Sequence, residues 1–199
     1  YTYSFSLSEA INAVPKPFLC KYSYQTKFVE LIEDELKQYR KLTAELARYI
    51  DESGKLRNHP SVERILKDRK DIIKKAKNKK NSLIDIIQEI GYNNFKYAFV
   101  YVPEGKQMDY SENDDDWTNL DSDDSKIIRD YTEEVNTHFN NQISIRHFTG
   151  ETKDRETILN NFEKVKIDTL FAMKCLDEGV DVPRTEIAIF CSSTGNPRQ

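Results

Sequence analysis

Gly179 and Asp181 are the residues of this chain whose types and spacing are best suited to chemistry. Glycine lets a backbone approach a ligand closely or take positive φ. A carboxylate two residues later can accept hydrogen bonds from a hydroxyl-bearing ligand. Two apolar runs flank them, Thr169–Met173 before and Glu186–Cys191 after. The first is long enough for one strand and too short for a stable helix. Strand, Gly/Asp turn, strand is how an open α/β sheet presents the carboxyl-end crevice in which such sheets bind ligands. A second candidate turn closes the run Ile143–Gly150. There Thr149 and Gly150 offer a hydroxyl and backbone amides suited to holding one phosphate, and Arg155 falls in the first turn of the next predicted helix. Lys174, directly after the Thr169–Met173 strand, is a further candidate.

The elements that must position these residues follow from periodicity. Residues 81–91 predict a helix stopped by Gly91, and Phe95–Val102 is a near-continuous apolar run, as expected of a parallel strand covered on both faces. A helix over 126–140, a strand over 143–150 and a helix over 152–164 then lead into the strand–turn–strand unit. From about Lys77 this order implies right-handed crossovers and a parallel sheet. Upstream, Ser6 to Glu9 fits a capping box, and Pro15 and Pro17 force an extended path through an aromatic-rich segment. An apolar stripe (Ile32, Leu36, Tyr39, Leu42, Leu46, Tyr49, Ile50) predicts a helix over 30–49, and Pro60 sits in the first turn of another. The organisation expected is a linker and helical arm over 1–76 and an α/β domain over 77–199.

Ala172 to Pro183 (Ala-Met-Lys-Cys-Leu-Asp-Glu-Gly-Val-Asp-Val-Pro) resembles motif V of superfamily 2 helicases and translocases, with the closer likeness to the restriction-enzyme-like and phage-repair-like DNA helicases. Ser192 to Gln199 resembles the segment just before their motif VI, and Phe95–Val102 matches motif IV in order and character. The resemblance implies a RecA-like (P-loop NTPase-type) three-layer parallel sheet with an N-terminal helical arm, serving as the second of two motor domains. It implies ATP in the cleft between the two, with the phosphates and Mg2+ held by a first RecA-like domain that this chain lacks. Gly179 would then approach the nucleotide, Asp181 would accept from the ribose hydroxyls, and Glu178 would stand beside them. Nucleic acid, with DNA expected, would cross the same edge on Thr149, Gly150, Arg155 and Lys174, contacts that position a strand without reading bases. No Gly-x-x-x-x-Gly-Lys-Ser/Thr loop occurs, and the chain stops before the arginine-rich motif VI, so hydrolysis is expected of a longer parent and not of this piece. Two other readings stay open: a non-catalytic α/β binding module whose arm docks a partner, and the motor part of a restriction-type nuclease.

Composition bounds the rest. The net charge of −4 with both signs mixed excludes a uniformly basic nucleic-acid coat but not a local basic groove. No apolar run reaches the roughly 20 residues that span a bilayer, and a cytoplasmic protein is expected. Cys20, Cys175 and Cys191 contain no CxxC pair and read as small hydrophobes. Residues 109–124 carry eight acids without calcium-loop spacing and read as an acidic surface loop. Residues 67–80 carry eight Lys/Arg against two Asp; a phosphate-facing surface and, more ordinarily, a solvated helix face both fit. His147 reads as packing and His59 as a cap-region surface residue. Asp181 could also merely cap its turn. In the full-length parent, Asp181→Ala is expected to weaken ATP binding roughly ten- to a hundredfold, the worth of a hydrogen bond to an ionised carboxylate, with an unshifted unfolding midpoint. An ATPase indifferent to the substitution would refute the assignment.

Overall fold

Ala98 to Tyr101 alternate small and aromatic side chains, and all four are buried. A run of that kind has to be covered on both faces, which is what a central parallel strand requires. The computed structural model, which describes residues 5–104, 120–173, 182 and 184–192, with backbone alone at Leu7 and 120–125, places it so. Along the chain come α1 (Leu7–Ile11), α2 (Glu33–Ala47), α3 (Pro60–Lys74), α4 (Asn78–Ile90), β1 (Ala98–Tyr101), α5 (Leu120–His138), β2 (Ile145–Thr149), α6 (Arg155–Glu163), β3 (Thr169–Met173) and β4 (Ile187–Phe190). The strands form one all-parallel sheet in the order β2-β3-β1-β4. Phe148, Ala172, Tyr101 and Phe190 share one row across it.

Alternation along the strands sorts the core into two halves. Ala98, Val100, Phe171 and Met173 face α4 and α5, packing on Leu83, Ile87, Ile128 and Val135. Phe99, Tyr101, Leu170, Ala172 and Phe148 face the other way, onto Phe162 of α6 and Ile167. Helix, sheet, helix is the three-layer α/β architecture expected of the sequence. A third apolar cluster, with Leu42 and Leu46 of α2 against Val62, Ile65 and Ile72 of α3, makes the arm a helical hairpin with its own small core.

Local signals placed most element ends. Ser6 and Glu9 form the reciprocal capping box, Oγ accepting from the Glu9 amide at 3.2 Å and Oε2 from the Ser6 amide at 2.6 Å. His59 caps α3, its Nδ1 accepting from the Ser61 amide at 3.1 Å, and Gly91 ends α4 at φ 83°, where a side chain is disfavoured. Two expectations change. The acidic stretch 109–124 is not all loop, because residues 120–124 belong to α5; residues 109–119 lie outside the described ones. The apolar stripe of α2 also omits its most buried residue.

That residue is Glu35, 1% exposed. Its Oε2 accepts from the amide of Ile32 at 3.1 Å, which closes the helix start that Ile32 cannot cap. Its Oε1 accepts from the amide of Lys77 at 2.9 Å, at the start of α4. One carboxylate thus ties the arm to the domain. Asn78 Nδ2 on the Glu30 carbonyl (2.9 Å), Lys27 on Glu89 (2.6 Å) and Lys74 on Glu104 (2.7 Å) add to the seam. Buried amides that lose their acceptor cost about 1–3 kcal/mol. Glu35→Ala is therefore expected to lower unfolding free energy by about 2–3 kcal/mol in urea titration, and Glu35→Gln, which keeps one acceptor, by less. An unshifted midpoint for the alanine variant would remove Glu35 as the tie.

Candidate functional site

β2 delivers the first candidate turn to the carboxyl edge of the sheet, and Thr149 is its last residue. The Thr149 amide donates to Thr152 Oγ1 at 2.8 Å, and the Thr152 amide donates back to the Thr149 carbonyl at 3.1 Å. Hydroxyl side chains often close local turns in this way. Arg155, the first residue of α6, turns back over the same segment. Its Nη2 donates to the carbonyls of Thr149 (3.1 Å) and Gly150 (2.9 Å), and its Cζ lies 5.7 Å from the centre of the Phe148 ring. The Thr149–Gly150 turn and Arg155, which the sequence suggested as separate contacts, therefore form one unit. Arg155 braces the turn through these contacts.

Thr152 is the residue that sequence reading missed. Its signal was present in the spacing Thr149-x-x-Thr152 at a strand–helix junction. Gly150 has a further property: it is exposed, its φ lies outside the left-handed region, and a Cβ added there would meet no heavy atom within 4 Å. The chain's own packing gives no reason for glycine at this position. Close approach of an external group would.

Gly179, Asp181, Glu178 and Lys174 lie outside the described residues. Their flanks are placed. Met173, the partner of Thr149 in the β2–β3 register, ends β3 at the carboxyl edge. Val182 packs with the α6-side core. Among the described residues no group of three or more His, Cys, Asp or Glu could hold a metal ion, and no helix is long and apolar enough to cross a membrane. Cys191 is buried and its thiol is pushed up to about 12 by burial, an inert small hydrophobe; Cys20 is exposed, and Cys175 is outside the described residues.

An all-parallel sheet, flanked by helices and presenting its turns at the carboxyl edge, is the ligand-handling class of α/β domain. Residues 118–199 match the family model described as the Helicase conserved C-terminal domain. Among solved structures the chain is similar to the crystal structure of the Pyrococcus furiosus Hef helicase domain, at 19% identity over 78% of this chain, with a TM-score of 0.39. The chain spans 29% of that protein's length. No curated protein matches it.

His147, on β2 two residues before Thr149, is half-buried and held against α5 by Thr132. Thr132 Oγ1 donates to the Ile128 carbonyl at 2.8 Å, which leaves it to accept from His147 Nε2, also at 2.8 Å. Burial, and then Arg129 and Arg146, hold the imidazole below its ordinary pKa of 6.5. The unfolded chain therefore takes up this proton first as pH falls, and stability drops as pH falls through about 6.5. His147→Gln is expected to flatten that part of the pH–stability profile. An identical profile in the variant would show that other groups set it.

Proposed function

We propose that the chain is the second motor domain of an ATP-dependent nucleic-acid helicase or translocase of superfamily 2, with DNA as the expected polymer. The observation that carries this reading is the helicase C-terminal match on a parallel sheet whose carboxyl edge presents the braced Thr149–Gly150 turn. The domain starts near Lys77, ahead of the matched segment, because β1 pairs with both β3 and β4 and α4 covers it. Without β1 the sheet would split in two. Residues 1–76 are then the linker and arm that lead in from the first motor domain.

In this reading the Thr149 hydroxyl and the Gly150 amide hold one backbone phosphate, and the missing side chain of Gly150 lets the sugar–phosphate chain pass within contact distance. Arg155 keeps the turn's carbonyls turned away from that phosphate. Lys174 supplies a second contact. ATP is held between this domain and the first, which contributes the phosphate loop and Mg2+ site, while Glu178, Gly179 and Asp181 bind its ribose side. The protein is placed in the cytoplasm. Contacts of this kind carry no base information, so binding is sensitive to salt and indifferent to sequence.

The test is ATP turnover by the full-length parent, alone and with duplex DNA, single-stranded DNA or RNA. Stimulation by one polymer is expected, and it names the track. Gly150→Ala adds a methyl group in open space, so its unfolding midpoint should match wild type while polymer-stimulated turnover falls about tenfold. Turnover indifferent to every polymer would favour the non-catalytic binding module. Full stimulation in Gly150→Ala would remove the turn from the track.

A further inference from the structure

The basic run 67–80 folds onto a cleft at the opposite edge of the sheet from the Thr149 turn. This cleft, ≈ 300 Å³, is lined by Tyr39, Arg69, Lys70, Lys74, Lys79 and Ser192, with two aliphatic side chains of α3 between them. Four of these residues are cations, and no carboxylate is among the lining residues. The arm supplies Tyr39, Arg69, Lys70 and Lys74, α4 supplies Lys79, and the carboxyl end of β4 supplies Ser192.

Two polar atoms mark this cleft as a site. Among the described residues, the buried side-chain N and O atoms without a hydrogen-bond partner are Arg69 Nε and Ser192 Oγ, and both residues line it. Ser192 is 3% exposed. Buried polar groups are nearly always paired, so two orphans on residues that line one cleft point to a group that pairs them there once the side chains adjust. The walls are built, not loose. Arg69 Nη2 donates to Tyr39 Oη at 2.7 Å, with Cζ 4.6 Å above that ring. Lys74 Nζ is fixed by Glu104 at 2.7 Å. Lys79 Nζ donates to the Lys74 carbonyl at 3.1 Å. Burial, with Lys74 adding to it, holds the Lys79 ammonium below the ordinary lysine range. An anion in the cleft would relieve that cost.

We propose that this cleft binds a phosphate group, presented either by a nucleic-acid backbone or by a small phosphorylated compound. The donor set selects phosphate over carboxylate. A hydroxyl, a guanidinium edge and separate ammonium groups approach from the arm, α4 and β4, and a tetrahedral oxyanion can accept from all of them, whereas a carboxylate has two coplanar oxygens. The position supports either source. Ser192 and Gly150 each lie two residues beyond the row Phe148–Ala172–Tyr101–Phe190, at the carboxyl ends of the two edge strands. Three strand spacings of about 4.8 Å put them roughly 14 Å apart. A polymer crossing the edge could touch both, and a free phosphate could occupy one alone. The proposal does not require the motor reading, since phosphate binding is measurable without hydrolysis.

The experiment uses the whole chain, with inorganic phosphate and pyrophosphate titrated in thermal unfolding against chloride at matched ionic strength. Phosphate-specific stabilisation of wild type is expected, with apparent affinity reduced about tenfold in Ser192→Ala and in Lys70→Gln. Ser192→Ala removes an unpaired hydroxyl, so without phosphate it should be as stable as wild type or more so. Protection no greater than chloride gives, or equal protection of wild type and both variants, would overturn the site. Anisotropy of a labelled single-stranded oligonucleotide then separates the sources. A salt dependence shallower by about one charge in Lys70→Gln assigns the phosphate to a nucleic-acid backbone; unchanged oligonucleotide binding beside lost pyrophosphate binding assigns it to a free compound. Gly150→Ala, run alongside, is expected to keep phosphate protection, so failure of the Thr149 turn and failure of this cleft give different results.

Discussion

β1 is hydrogen-bonded along both edges and covered on both faces, and the described candidate residues at the strand ends take their position from that constraint. A parallel strand has no hairpin to hold its register, so side-chain burial on two sides has to do so. Phe99 and Tyr101 commit one face to the α6 layer while Ala98 and Val100 commit the other to α4 and α5. A slip of one residue would exchange the two sets. With β1 held, β3 and β4 align beside it and β2 aligns beside β3. The strand ends then reach the same edge at Thr149, Met173, Tyr101 and Phe190. That shared edge is what allows separate loops to act on one ligand.

The arm depends on a different interaction. Its own apolar core is small, and what joins it to the domain is mainly polar: the Glu35 carboxylate on two backbone amides, and side-chain contacts from Lys27, Lys74 and Asn78. A buried carboxylate held by amides is directional, so it sets where the arm sits as well as that it sits there. The orientation matters because the cations of α3 and Ser192 line one cleft from the two sides of the seam. A seam joined by aliphatic contacts alone would tolerate sliding.

Charge is segregated along the chain. The net value of −4 conceals a basic run over 67–80 and an acidic one over 109–124. The structure gathers four of the basic residues, or their near neighbours on α3 and α4, into one cleft. It places the last acids of the second run at the amino end of α5. A solvated helix face, the ordinary reading of a lysine-rich helix, accounts for the exposed Lys67 but not for Arg69, Lys74 and Lys79, which are partly buried at the seam.

Period and punctuation in the sequence were enough for the element order, the parallel sheet, the capping box at Ser6, the His59–Pro60 helix start and the Gly91 stop, because each depends on residues a few positions apart. The Thr149–Gly150 turn was legible for the same reason, with Thr152 within reach of the same reading, whereas Arg155 was read as a phosphate contact and its brace on the turn shows only in the structure. Glu35 was not legible. A glutamate in a first turn is ordinarily solvated, and its burial depends on the amide of Lys77 arriving from another helix. Nor was the cleft, since Arg69 and Ser192 are brought together only when α3 packs beside the carboxyl end of β4. Local sequence thus determined which elements form and which chemistry each strand end carries, through interactions that span one turn or one pleat. Only the tertiary structure decided which of those groups share a site, because pairing a buried polar atom requires partners that the chain delivers from far away.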